Sequence, residues 1–143
     1  MIYELVTPPI PSVRNMGVQF DSAFSMLDHV TKTVSTCFAA FRRIRSVRGS
    51  LSKKSLLDLV RALVISRVDY ANSTLSGVSE HLQNRQQSVL NAAARLVCSK
   101  RRHEHITPVL RELHWLRVPE RITFKLCSLV YRSVDGTAPP YLS

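Results

Sequence analysis

The sequence predicts a mainly α-helical fold in which a short N-terminal β-hairpin precedes an array of four to five helices. Strand-like and turn-like stretches are confined to residues 1–24, while after Asp21 apolar residues recur with the helical period of about 3.6. Gly and Pro residues divide this periodic part into separate helices. With 143 residues, 45% of them apolar, the chain is long enough to form one domain around its own core.

The first 24 residues carry the hairpin signal. IYELV has the composition of a strand, TPPIP interrupts it, and VRNMGVQF places Gly17 at a turn or bulge position. We therefore expect a short hairpin in this segment.

Two long helices are predicted next. The first begins near Ser25 and ends in the basic segment RRIRSVRGS, and the second runs from about residue 53 to about residue 70, with Ser52 as its N-cap. Arg67 falls inside the apolar stripe of the second helix, so we expect an ion pair or a backbone carbonyl to hold its side chain. The stripes comprise Leu27, Val30, Val34, Cys37, Phe38 and Phe41 in the first helix and Leu56, Val60, Leu63, Val64 and Val68 in the second.

A third helix is predicted from about residue 79 to residue 99. Gln86 lies at the centre of its buried stripe, where the amide is either hydrogen-bonded in the interior or a cost to stability. Arg95 projects the opposite way and precedes a basic helix end, where cations interact favourably with the helix dipole. The stripe comprises Leu82, Val89, Ala93, Leu96 and Val97.

Two further helices complete the predicted array. Thr107 and Pro108 are expected to start a short helix at VLREL, and Pro119 a longer helix that Gly136 stops. The longer helix has two apolar faces, which requires a central position or a second partner. One face comprises Ile122, Leu126, Leu129 and Val130, and the other comprises Phe124 and Tyr131.

Positive charge is concentrated in two blocks of the sequence. The chain has 20 Lys and Arg against 10 Asp and Glu, a formal net charge of +10. Residues 42–67 hold eight basic residues and one acid, and residues 85–102 hold five basic residues and no acid. Such clustering is typical of a surface that meets phosphate, although a merely solvated basic surface has the same composition. The candidate nucleic-acid-binding residues are Arg42, Arg43, Arg45, Arg48, Lys53, Lys54, Arg95, Lys100, Arg101 and Arg102.

The sequence offers no catalytic constellation. Its four glycines form no phosphate loop, its acids are scattered, and no stretch has the form of a nucleophile elbow. Cys98, His103 and His105 form a metal-like cluster, but zinc sites use four ligands in closely spaced pairs. We therefore predict no catalytic residue, no metal ligand and no cofactor, and assign both histidines to a basic loop.

Cysteine use and targeting signals indicate an intracellular protein. The three cysteines are odd in number and widely spaced, which argues against a disulfide framework and for a reducing compartment. The N-terminal residues lack the apolar core of a signal peptide, and no apolar run reaches the ~20 residues of a membrane span. We expect no membrane association and a location in the nucleus or the cytoplasm.

Four segments, in unbroken order along the chain, resemble one family. SVLNAAARLV at 88–97 and the whole stretch 105–143 resemble the C-terminal part of the reverse transcriptase of LINE-type, non-LTR retrotransposons of the jockey and chicken-repeat-like group. VRNMGVQFDSAFSM at 13–26 is similar to the end of that enzyme's palm, and SRVDYANSTLSG at 66–77 to a segment between its thumb helices. The departures are Met16 where the family has Leu, Ala71 where it has Cys, and Gln86 at an apolar position.

The resemblance implies a division of the chain into palm, thumb and post-thumb parts. Residues 1–24 are then the remnant of a hairpin near the primer grip, residues 25–99 a thumb-like helical region, and residues 100–143 a post-thumb helical region. The fingers, most of the palm and the Tyr-x-Asp-Asp catalytic strand would precede Met1. The resemblance therefore implies a non-catalytic fragment of an RNA-directed DNA polymerase, with the palm and fingers as partners.

These observations lead to one main hypothesis and two alternatives. The main hypothesis is that the chain binds the backbone of RNA or of an RNA–DNA duplex without sequence specificity, as a thumb holds template and primer. Such contacts depend strongly on salt. The alternatives are a helical protein-interaction module, whose basic surface meets an acidic protein, and a translated retroelement remnant without a selected function.

Overall fold

The N-terminal hairpin is present in the structure, a computed structural model that describes residues 8–142. Strand β1 (Ser12–Asn15) pairs antiparallel with strand β2 (Val18–Asp21), and Met16 and Gly17 form the turn between them. Both turn residues have positive φ, 48° and 85°, as the type I′ turn of a tight hairpin requires. The strand predicted for IYELV lies outside the described residues.

Five helices follow the hairpin within the described part of the chain, which confirms the predicted fold class. Helix α2 is continuous over residues 53–69, because Lys53–Val60 passes through a π-helical turn, Arg61–Ile65, into Ser66–Asp69. The other helices are α1 (Leu27–Val47), α3 (Glu80–Cys98), α4 (Ile106–Glu112) and α5 (Val118–Val134). Short 3-10 turns occur at Arg48–Ser50, Asn72–Leu75 and Pro140–Leu142.

Helices α1 and α3 run side by side in the same direction. Near their N-termini, Nη1 of Arg85 donates a hydrogen bond to Oγ1 of Thr31 at 2.9 Å. Just past their C-termini, Arg48 donates a hydrogen bond to the hydroxyl of Ser99. Helix α2 starts beside the end of α1 and returns antiparallel to it. The C-terminal ends of α1 and α3 therefore lie at the same end of the fold as the N-terminus of α2.

Helices α1, α2 and α3 enclose the main core. The predicted stripe of α3 is confirmed in full, since all five of its residues are buried. The stripe of α2 is confirmed except at Leu63, which is only half-buried. Side chains that are at most 1% exposed include Phe41 and Ile44 of α1, Val60 and Val64 of α2, and Val89 and Leu90 of α3.

The predicted stripe of α1 is wrong at two positions. Leu27 and Phe38 are 46% and 39% exposed, whereas Val30, Cys37 and Phe41 are buried as expected. At 100° per residue, Leu27 lies about 95° and Phe38 about 115° from the centre of the buried arc. Their places in the core are taken by Thr33 and Ile44 and by the neighbouring His29.

Arg67 is held as the sequence predicts. Its side chain is exposed, and its Nε donates a hydrogen bond to the carbonyl of Leu63 at 3.0 Å. This carbonyl belongs to the π-helical turn, where the regular hydrogen-bond ladder of the helix is interrupted. The guanidinium therefore stabilises the turn while its charged end reaches solvent.

Gln86 is a polar residue in the centre of the core. The residue is 1% exposed, and its Nε2 has no hydrogen-bond partner in the described structure. Of the two interpretations the sequence allows, the structure supports the one in which Gln86 costs stability, because a buried donor without a partner retains its desolvation penalty. The side chain of the next residue, Gln87, does have a partner, because its Oε1 accepts a hydrogen bond from the backbone N–H of Val118 at 2.8 Å.

We expect Gln86→Met and Gln87→Met to change stability in opposite directions. Methionine at position 86 keeps the volume and removes the unpaired amide, which should raise the free energy of unfolding by about 1 kcal/mol. Methionine at position 87 leaves the first N–H of α5 without its acceptor, which should lower it by about 1 kcal/mol. Urea unfolding of both variants measures the two changes, and a destabilised Gln86→Met protein would show that the amide has a partner in solution.

Helices α4 and α5 begin slightly earlier than predicted. Helix α4 starts at Ile106 with His105 as its N-cap, so Thr107 and Pro108 occupy its first turn instead of preceding it. Helix α5 starts at Val118, and Pro119 is its second residue. Proline is tolerated at these positions because the first N–H groups of a helix have no partner within the helix.

Helix α5 leaves most of its apolar surface uncovered. Val118 and Ile122 are buried, and Leu126 and Leu129 are half-buried. Val130 belongs to the same predicted face as Ile122 but is 62% exposed, because at 100° per residue it lies about 100° from the direction of the buried Val118 and Ile122, whereas Leu129 lies between them. The second predicted face is open to solvent, with Phe124 66% and Tyr131 68% exposed.

Candidate nucleic-acid interface

The two basic blocks of the sequence meet at one end of the fold. The link from α1 to α2 contains Arg48, whose guanidinium donates a hydrogen bond to Ser99, directly after α3. At the start of α2, Nζ of Lys53 lies 3.4 Å from Oε1 of Glu112, at the end of α4. These contacts join residues that lie 51 and 59 positions apart in sequence. We call the ten predicted residues, taken together, the basic end.

Four residues of the basic end already have partners within the protein. Arg48 bonds to Ser99, and Lys53 pairs with Glu112. Lys100 pairs with Glu104 at 3.7 Å, and Arg95 donates a hydrogen bond to the backbone carbonyl of Glu104 at 3.4 Å. These side chains are partly committed to holding the loops and helix ends together.

The prediction that Arg95 projects into solvent is wrong. It lies on the side of α3 opposite the main core, but the loop after Ser99 and helix α4 fold over that side. The residue is half-buried, and its Nε is buried without a partner in the described structure. The helical period alone could not show that a second layer covers this face.

The other six residues of the basic end are exposed. Their side chains make no hydrogen bond or ion pair with any residue that the structure describes. A cation in this state can approach a phosphate without first breaking an internal contact, so these residues are the strongest candidates for binding. The six free cations are Arg42, Arg43, Arg45, Lys54, Arg101 and Arg102.

Helix stabilisation explains only part of this charge. Cations near the C-terminal ends of α1 and α3 interact favourably with the helix dipole. Lys53 and Lys54, however, are the first two residues of α2, where the dipole disfavours cations, and no acid lies in that first turn. Ser52 caps this helix as predicted, its Oγ accepting a hydrogen bond from the N–H of Ser55 at 3.2 Å. The two lysines therefore need an explanation other than helix stability.

The six free cations do not all lie on one face. At 100° per residue, Arg42 and Arg45 project from the side of α1 that carries Thr31, which faces α3. Arg43 projects from the opposite flank, on the same side as Lys32. Arg42 and Arg45 therefore lie on the side of α1 that faces α3, the helix that Arg101 and Arg102 follow in sequence.

A second basic group was missed by the sequence analysis. Arg14, Lys32 and Arg67 line a half-open cavity of about 610 Å³ between the hairpin, α1 and α2. These three residues are widely spaced in sequence and belong to three different elements, so they form no charge block.

Neither a metal centre nor a membrane-spanning helix is found among the described residues. In that part of the chain, no three His, Cys, Asp or Glu side chains are placed to hold a metal ion together. None of the described helices is both long and apolar enough to cross a membrane. Comparisons with protein-family models, with curated proteins and with solved structures found no match to this chain.

Proposed function

We propose that the chain binds the phosphate backbone of RNA or of an RNA–DNA duplex without sequence specificity, as a non-catalytic, thumb-like part of a LINE-type reverse transcriptase. The observation that carries the proposal is the presence of six free, exposed cations at the end of the fold where two sequence blocks meet. Cations of this kind neutralise phosphates and release the counterions that condense on nucleic acid.

The chemistry of the basic end favours backbone contacts over base recognition. Its free members are five arginines and one lysine, which extend from the end of α1, the start of α2 and the loop after α3. Contacts to phosphates fix the position of a protein on a duplex but carry no sequence information. The ordered resemblance to palm and thumb segments supports the same role, with the palm and fingers as the natural partners.

The direct test is a fluorescence-anisotropy titration with a labelled RNA–DNA duplex at several salt concentrations. If four to six phosphates are neutralised, the logarithm of the association constant should fall linearly with the logarithm of salt concentration, with a slope of about −3.5 to −5.5. Duplexes of different sequence should bind equally well. A slope near zero for the folded chain contradicts the proposal.

The open face of α5 favours a second candidate function, docking of another protein. Phe124, Val130, Tyr131 and Val134 are each more than 60% exposed along this helix. Lys125 and Arg132 flank them, which would suit a partner with apolar and acidic residues. The double variant Phe124→Ser/Tyr131→Ser separates the two functions: it should bind the duplex as the natural chain does, whereas a loss of duplex binding would assign the α5 face to nucleic acid.

A further inference from the structure

The cavity between the hairpin, α1 and α2 has a firmly built wall. The hydroxyl of Tyr70 donates a hydrogen bond to the carbonyl of Met16, which fixes the hairpin turn against the end of α2. A Cβ at Gly17 would lie 3.2 Å from the ring of Tyr70, and its φ of +85° is unfavourable for other residues. The turn and the tyrosine are thus fitted closely to each other, and the cavity lies beside this contact.

Three cations from three elements face this cavity. Arg14 and Lys32 are exposed, and their side chains make no bond to any described residue. Arg67 uses its Nε to bond the carbonyl of Leu63, which leaves its two terminal nitrogens for other partners. Of the described residues that line the cavity, none is Asp or Glu.

The buried wall of the cavity also carries polar side chains. A cationic or an apolar ligand would not require the hydrogen bonds that these side chains can donate. Thr33 is only 9% exposed, and its hydroxyl has no partner in the described structure. Nδ1 of His29 accepts a hydrogen bond from the N–H of Gln19 at 3.4 Å, so the proton of the neutral ring lies on Nε2 and is available to donate. Burial lowers the pKa of His29, which keeps the ring in this neutral form.

We propose that this cavity binds a phosphate group. The cavity offers three cations and an unpartnered hydroxyl, and none of the described residues that line it has a carboxylate. These groups suit a phosphate, whose oxygens accept hydrogen bonds and carry negative charge. The volume of about 610 Å³ falls within the range of small-molecule pockets, so a mononucleotide fits as well as a free ion. The proposal does not depend on duplex binding at the basic end, because Arg42, Arg45, Arg101 and Arg102 do not line the cavity.

The test is a titration of the 15N-labelled chain with inorganic phosphate at constant ionic strength, followed by amide chemical shifts. Saturable shifts are expected at Gln19, Thr33 and Ser66, around the cavity. The double variant Arg14→Gln/Lys32→Gln should raise the dissociation constant about tenfold or more. Both residues are exposed and unbonded, so the variant should keep its fold, and the matched control is Lys125→Gln/Arg132→Gln.

Two further ligands distinguish the two possible sources of the phosphate group, a phosphomonoester and a phosphodiester. Tighter binding of a nucleoside monophosphate than of inorganic phosphate supports a phosphomonoester ligand. Tighter binding of a short single strand without a terminal phosphate supports a phosphodiester. The proposal is overturned if none of the three probes gives saturable shifts around the cavity, or if the control variant weakens phosphate binding as much as Arg14→Gln/Lys32→Gln does.

Discussion

Replacing Arg42, Arg45, Arg101 and Arg102 with Gln is expected to weaken binding of an RNA–DNA duplex by about 100-fold or more at 0.1 M salt. These four residues are free cations; Arg42 and Arg45 project from the α3-facing side of α1, and Arg101 and Arg102 lie in the loop after α3. If each neutralises one phosphate, the salt slope should become shallower by about 3 to 4. Anisotropy titrations of the variant and the natural chain at matched salt concentrations measure both changes.

The control for this prediction removes the same charge elsewhere. Arg61, Arg117, Lys125 and Arg132 are exposed, and no side-chain bond joins any of them to another described residue. A variant with Gln at all four has the same net charge as the first variant but keeps the basic end intact. It should therefore lose only a small, general part of its affinity for the duplex. Equal losses in the two variants would mean that overall charge, and not the basic end, attracts the nucleic acid.

Arg48 is a less suitable position for this binding test, for a reason that the sequence alone does not reveal. Arg48 belongs to the same basic run as Arg42 and Arg45, but its guanidinium bonds to Ser99 and joins α1 to the end of α3. A loss of binding after its removal would mix a structural effect with a lost phosphate contact. Charge blocks in a sequence identify candidates, whereas the internal acids and hydroxyls that engage some of them become visible only in the folded chain.

The fold was predictable where the signal is local. The existence of the helices, the Ser52 cap and the Gly17 turn each depend on a few neighbouring residues, and all three are confirmed, although the buried stripe of α1 is wrong at Leu27 and Phe38. The covered side of Arg95 depends on how the loop after α3 folds back over that helix, which the helical period does not encode. The cavity lined by Arg14, Lys32 and Arg67 likewise depends on how three separate elements pack together, which explains why no pattern in the sequence indicated it.

Replacing Arg121 with Met is expected to lower the free energy of unfolding by about 1 to 2 kcal/mol, because this residue holds α5 to the rest of the fold through an ion pair with Asp69, a carboxylate that is 40% exposed. Its Nη1 lies 2.8 Å from Oδ2 of Asp69, at the end of α2, and its side chain is only 15% exposed. Its Nε also donates a hydrogen bond to the carbonyl of Leu116 at 2.8 Å. Without the guanidinium, the Asp69 carboxylate loses its ion-pair partner while its Oδ1 stays buried and unpaired.

The neighbouring turn of α5 provides a matched comparison. Lys125→Met also removes one cation, but this side chain is exposed and unbonded in the described structure, so its effect should stay within about 0.5 kcal/mol. Adding Asp69→Asn to Arg121→Met should cost less than the two single changes together, since both remove the same interaction. Urea unfolding of the four variants measures these differences. Equal stability of Arg121→Met and Lys125→Met would show that the ion pair contributes nothing measurable to holding α5.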